Sequence, residues 1–143
     1  MKIEGNRIVV ATRNAGKIKE FAHAFQRLGK EIRSMYDYGG LPEIEETGAT
    51  FAENAFIKAK AVAEALQVPV LADDSGLCVD ALDGAPGVYS ARYSGEEATD
   101  AANNRKLIAE LARAGAKPSG PDGTLSTARF VCALVLYDPQ TGN

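Results

Sequence analysis

The stretch IVVATRNAGKIKEFAHAFQRL, residues 8–28, constrains the fold more than any other in this chain. Ile8, Val9, Val10 and Ala11 form a short apolar run that reads as a buried strand. A polar loop follows, and then Ile18, Phe21, Ala22, Phe25 and Leu28 recur at helical spacing. That spacing predicts an amphipathic helix over residues 15–28, ended by Gly29. His23 falls on its polar face and is a poor catalytic candidate.

The rest of the chain extends this pattern. Residues 31–34 are strand-like, and residues 35–48 form a loop broken by Gly39, Gly40 and Pro42. Thr50 and Glu53 fit a capping box, with Phe51, Ala55, Ala59, Val62 and Leu66 as the apolar face of the helix and Pro69 as its stop. Val70, Leu71 and Ala72 begin a strand that runs into Asp73-Asp74-Ser75-Gly76, and Leu77-Cys78-Val79 leads away. Residues 83–95 are a loop rich in Gly and Ser. Thr99 or Asp100 caps a third helix with Leu107, Ile108 and Leu111 inward. A Gly/Pro linker over 115–123 precedes a strongly strand-like run, 126–137, apolar enough for an inner strand, and a turn over 138–142. The order predicts an α/β fold.

Composition narrows the function class. At 143 residues the chain is expected to be one domain with one core. No apolar run approaches the roughly 20 residues that span a bilayer, and the N-terminus lacks a signal-peptide pattern. A cytoplasmic protein with no membrane partner is the default expectation. The net charge of −3, with no Lys/Arg block, argues against a nucleic-acid surface. Cys78 and Cys132 are far apart in apolar runs and are expected to be buried, reduced thiols. With a single His, a His-rich zinc site is not expected.

Two clusters carry chemistry. The loop Thr12-Arg13-Asn14-Ala15-Gly16-Lys17 stands between a strand and a helix start, where unpaired N–H groups and the helix dipole favour a phosphate. Lys17 would add a full charge, and Thr12 and Asn14 would donate hydrogen bonds. An ordinary polar helix cap is the other reading. The P-loop pattern fails, because Ala11 lies five residues before Gly16 and Ile18 follows Lys17. The second cluster is acidic: Glu45-Glu46 and Asp73-Asp74 both border the helix over 51–67, and converging carboxylates hold Mg²⁺ beside phosphate oxygens. Strand alternation sends Asp73 and Asp74 to opposite faces, so one is chemical and the other structural. Ser75 could donate to a phosphate; a solvated acidic turn is the alternative. Lys58 sits one turn beyond Asn54, off the apolar face, and helix geometry alone makes it a surface lysine.

The segments ATRNAGKIKEF, EETGATFAENAFIKAKAVAEAL, LADDSGLCVDALDGAPGVYSARYSG and ARFVCALVL resemble, in order and spacing, the inosine triphosphate pyrophosphatase family. The resemblance implies a long curved mixed sheet flanked by helices, with a nucleotide cleft between two lobes. It implies a usually homodimeric, Mg²⁺-dependent enzyme that hydrolyses inosine, deoxyinosine and xanthosine triphosphates to the monophosphate and pyrophosphate. By the same resemblance, Thr12, Arg13, Asn14, Ala15, Gly16 and Lys17 hold the triphosphate and Lys58 faces it. Glu45 helps hold the metal, Asp74 is the metal-linked acid or base, and Ser75 contacts the substrate.

Family chains run on by roughly a third more, through a GFGYDP-like strand-loop, a Lys and a Ser-His-Arg stretch that cradle the base. The present residues resemble the N-terminal two thirds of such an enzyme. Two rivals remain at this point: a related pyrophosphatase for modified pyrimidine nucleotides, against which ADDSG and EETG argue, and a nucleotide-binding fragment without catalysis.

Overall fold

The structure is a computed structural model that describes residues 7–12, 15–39, 41, 43–95, 97–120 and 122–142. Its elements, in chain order, are β1 (Arg7–Ala11), α1 (Ala15–Gln26), β2 (Glu31–Ser34), α2 (Phe51–Leu66), β3 (Val70–Val79), α3 (Asp100–Arg113) and β4 (Ala128–Tyr137). The four strands form one mixed sheet in the order β2-β1-β3-β4, so the predicted α/β class holds. The chain divides into two compact units: residues up to Asp74 together with Ala133–Asn143, and Ser75–Cys132.

In the first unit β1 runs parallel to both neighbours, pairing Ile8 with Ile32 and Val10 with Leu71. Parallel neighbours require crossovers, and α1 and α2 supply them. Ile8, Val9, Val10 and Ala11 are all fully buried, which is why β1 shows an unbroken apolar run instead of alternation. The core joins Val9 and Ala11 of β1, Val70 and Ala72 of β3, Ala59, Val62 and Ala63 of α2, and Tyr137 of β4. Three of the five buried residues of α2 are alanines, so its backbone can approach the sheet closely. Helix α1 is less deeply seated than its spacing suggests, with no buried residue and Leu28, beyond its end, exposed.

Local signals work largely as expected. Thr50 caps α2 by accepting from the Glu53 N–H at 3.1 Å, but Glu53 reaches back to the Ala49 N–H at 2.7 Å, one residue beyond the predicted partner. The stop of α2 is Gln67, held in the left-handed region at φ 56°, two residues before Pro69. The two halves predicted around ADDSG are one continuous strand, β3.

In the second unit, Thr99 caps α3 by accepting from the Ala102 N–H. Leu111 is buried, but Ile108 is 62% exposed, because the inward stripe runs through Leu107 and Leu111 and Ile108 lies a step around the helix. Asn103 of α3 fastens the preceding loop by accepting from the Ser94 N–H and donating to the Ser90 carbonyl. In β4, Phe130, Cys132 and Leu134 alternate on an exposed face, and β4 lies at one edge of the described sheet, with β2 at the other. Strand alternation therefore overturns the expectation of two buried thiols: Cys132 is exposed and Cys78 half-buried, both free.

The closeness of α2 to the sheet can be tested by overfilling it. Ala59→Leu should lower unfolding free energy by about 1–3 kcal/mol, read from the urea midpoint at unchanged m-value. Ala22→Leu on the exposed side of α1 should change it by less than about 0.5 kcal/mol.

Candidate functional site

The chemistry-bearing side chains of the first unit gather where the start of α2 meets the middle of β3. Two successive helix residues latch the incoming loop: Glu53 accepts from the Ala49 N–H and Asn54 Oδ1 accepts from the Gly48 N–H, both at 2.7 Å. Asn54 is completely buried, and its Nδ2 donates across to Asp74 Oδ2 at 3.3 Å. One turn further along α2, Lys58 Nζ lies 3.0 Å from Glu46 Oε1, with only 18% of the lysine side chain exposed. The helix face carrying Asn54 and Lys58 thus touches both acidic segments, the loop before α2 and the middle of β3.

Asp73 and Asp74 have different partners, as strand alternation predicts. Asp73 is 3% exposed and accepts from the Lys17 ammonium in the first turn of α1. Asp74 is half-buried beside Asn54, Glu46 and Lys58. Burial, reinforced by the charge of Glu46, pushes the Asp74 carboxyl above its ordinary pKa of 3.8; the Asn54 hydrogen bond and the Lys58 charge oppose this without cancelling it.

The sequence-predicted residues fall as follows. Thr12 is buried at the end of β1, and Ala15, Gly16 and Lys17 form the first turn of α1, which contains no acid. Arg13 and Asn14 lie outside the described residues. Lys58 is not the surface residue that helix geometry suggests, because the loop before α2 folds over it and brings Glu46 to its ammonium. Of the paired glutamates, Glu45 is exposed and Glu46 is turned inward. The resemblance gives the metal role to Glu45; in the structure it is Glu46 that pairs with Lys58 and whose charge bears on Asp74. Ser75 is half-buried and begins the second unit.

Sequence reasoning missed Asn54, and it placed Glu46 in the acidic cluster without separating it from Glu45. Asn54 lies off the alanine stripe, and no local pattern marks an amide whose partners are six and twenty residues away. For Glu46 the signal was the pair itself: in an extended segment two adjacent side chains point to opposite sides, so at most one faces α2.

Among the described residues no group of three or more His, Cys, Asp and Glu side chains is placed to hold a metal. Two carboxylates close enough for one to disfavour ionisation of the other do fit a hard cation that takes its remaining ligands from water and phosphate. Half-buried Lys58 supplies positive charge beside them, while Lys17 pairs with Asp73.

Comparison with known proteins matches residues 8–143 to the Ham1 family. A dITP/XTP pyrophosphatase of Exiguobacterium sibiricum is 55% identical over 134 residues, 94% of this chain and 64% of that protein. One of Geobacillus kaustophilus is 52% identical over 132 residues, 92% of this chain and 61% of that protein. Among solved structures, a HAM1 protein from Coxiella burnetii superposes with a TM-score of 0.82 at 37% identity, over 96% of this chain and 66% of that one. The Staphylococcus aureus Ham1 protein gives 0.76 at 41% identity, over 94% and 64%. The chain thus spans a little under two thirds of the length of the curated relatives it matches.

Two stability measurements test this arrangement. Lys17→Met strands the buried Asp73 carboxylate, whereas Asp73→Asn leaves a lysine that can turn to water. Lys17→Met should therefore cost more stability than Asp73→Asn in paired denaturant titrations. The second concerns Asp74. Because its folded pKa is raised, ionising it costs the folded state; the cost is absent below 3.8 and complete once pH exceeds the raised value. Asp74→Asn keeps an acceptor for Asn54 and never ionises. Its melting temperature relative to the parent should therefore rise as pH goes from 3 to 7.

Proposed function

The chain belongs to the Ham1 family, and on that premise we propose that it hydrolyses non-standard purine nucleoside triphosphates, dITP and XTP, to the monophosphate and pyrophosphate. The observation that carries the reading is the convergence on β3. Adjacent residues Asp73 and Asp74 bring together a lysine from the strand–helix mouth and the acidic pair with Lys58 from α2. The names of the relatives, dITP/XTP pyrophosphatase, agree with this chemistry.

In this reading the triphosphate lies against the first turn of α1, where the positive end of the helix dipole favours anions and no acidic side chain opposes them. Lys17 and Lys58 each carry three N–H donors, so each can keep its carboxylate and still donate to a phosphate oxygen. They offset charge on the leaving pyrophosphate as the bond to the α-phosphorus breaks. Asp74 accepts the proton of the attacking water. Its raised pKa makes it a stronger base than an ordinary aspartate, and its bond from Asn54 fixes the carboxylate plane. Glu46 and Asp74 are the residues that would hold Mg²⁺, which when bound would neutralise phosphate oxygens and favour in-line attack.

The test is pyrophosphate release from dITP and XTP, against dATP and dCTP, with Mg²⁺ and with a chelator. Release from the first two in Mg²⁺, lowered about 10²-fold or more by Asp74→Asn with folding intact, is the expected result. Equal release from all four nucleotides, or full activity in Asp74→Asn, would count against the reading.

A further inference from the structure

Asn54 is the most deeply buried polar group at the site, and both ends of its amide are used. Its oxygen takes the Gly48 N–H at 2.7 Å and its nitrogen gives to Asp74 Oδ2 at 3.3 Å, with no part of the residue exposed. A buried amide in a helix otherwise packed with alanine is costly unless paired, so its retention calls for a specific role. The two groups it joins are far apart in sequence. One belongs to the loop carrying Glu46, two residues before Gly48; the other is the carboxylate that Glu46 approaches.

Residue 48 shows how tight the link is. A Cβ there would stand 2.7 Å from Asn54 Oδ1, 2.7 Å from Glu53 Cβ and 3.0 Å from the Asn54 backbone nitrogen. Any side chain would lift the loop off the helix, so glycine is required by close approach and not by its backbone angles. The clasp has no slack on either side: glycine on the loop, a fully buried amide on the helix.

We propose that Asn54 is a positioning residue, and Gly48 its necessary counterpart: together they set the separation of the Glu46 and Asp74 carboxylates and so determine how well that pair binds a divalent cation. The inference rests on the hydrolase reading above only for its consequence in turnover. The amide works through two bonds, one to each half of the pair, as outer groups do when they orient the ligands of a metal.

The experiment reads cation binding directly, with Mn²⁺ alone followed by electron paramagnetic resonance, and separately the kinetics of dITP hydrolysis. Gly48→Ala and Asn54→Ala should each weaken Mn²⁺ binding about 10- to 100-fold. Each should lower kcat by a similar factor, with KM for dITP changed by less than about threefold, because Lys17, paired with Asp73, is not held by the clasp. Thermal melts establish the temperature at which each variant is folded. Gly48→Ala, which leaves the helix sequence untouched, carries the test if Asn54→Ala does not fold. Folded variants with parental Mn²⁺ affinity and lowered melting temperature would make Asn54 a purely structural residue and overturn the proposal, as would a parent protein that binds no Mn²⁺. A parent that binds Mn²⁺ but releases no pyrophosphate from dITP would sink the hydrolase reading alone, and the Mn²⁺ measurements would still decide the role of Asn54.

Discussion

Helix α2 lies against β1 and β3 through Ala55, Ala59 and Ala63, and the rest of the first unit depends on how near that small-residue stripe lets the helix come. Alanines at successive turns present almost no side-chain bulk, so the valines of the sheet fill the gap at close-packed density. With larger residues there, the helix would sit further out, and Asn54 could not span from the loop to the middle of β3. Site geometry here is therefore a consequence of core volume: the same helix that closes the hydrophobic layer holds the polar groups at its N-terminal end.

The site shows how buried charge is managed when each ion must stay available. Asp73, nearly inaccessible, is matched by Lys17, whose side chain is partly exposed. Asp74 is only half-buried and is balanced between the repulsion of Glu46 and the help of Asn54 and Lys58. Two acids that oppose each other cost folding stability, and each of the two lysines is held on a carboxylate.

In the second unit neutral side-chain hydrogen bonds tie the loop before α3 together. Ser90 Oγ accepts from the Leu77 N–H and donates to the Gly87 carbonyl, while Asn103 ties Ser90 and Ser94 to α3. These bonds hold a loop rich in Gly and Ser that has little apolar surface of its own to bury. A buried serine or asparagine can replace several backbone partners at once, which is how such a loop remains compact without a core.

Much of the fold was legible in the residues. The apolar run of β1, the Thr50 and Thr99 caps and the order of strands and helices came from local patterns, because burial on both faces, cap chemistry and helical period leave their mark on neighbouring residues. The opposite partners of Asp73 and Asp74 followed from the two-residue period of a strand. What tertiary structure alone decided are relations between distant segments. It turned Glu46 inward onto Lys58 and left Glu45 exposed, buried Asn54 between Gly48 and Asp74, and left Cys132 exposed on an outer strand. Each depends on which segment covers which face, and that is settled by packing across twenty or more residues, where no local periodicity reaches.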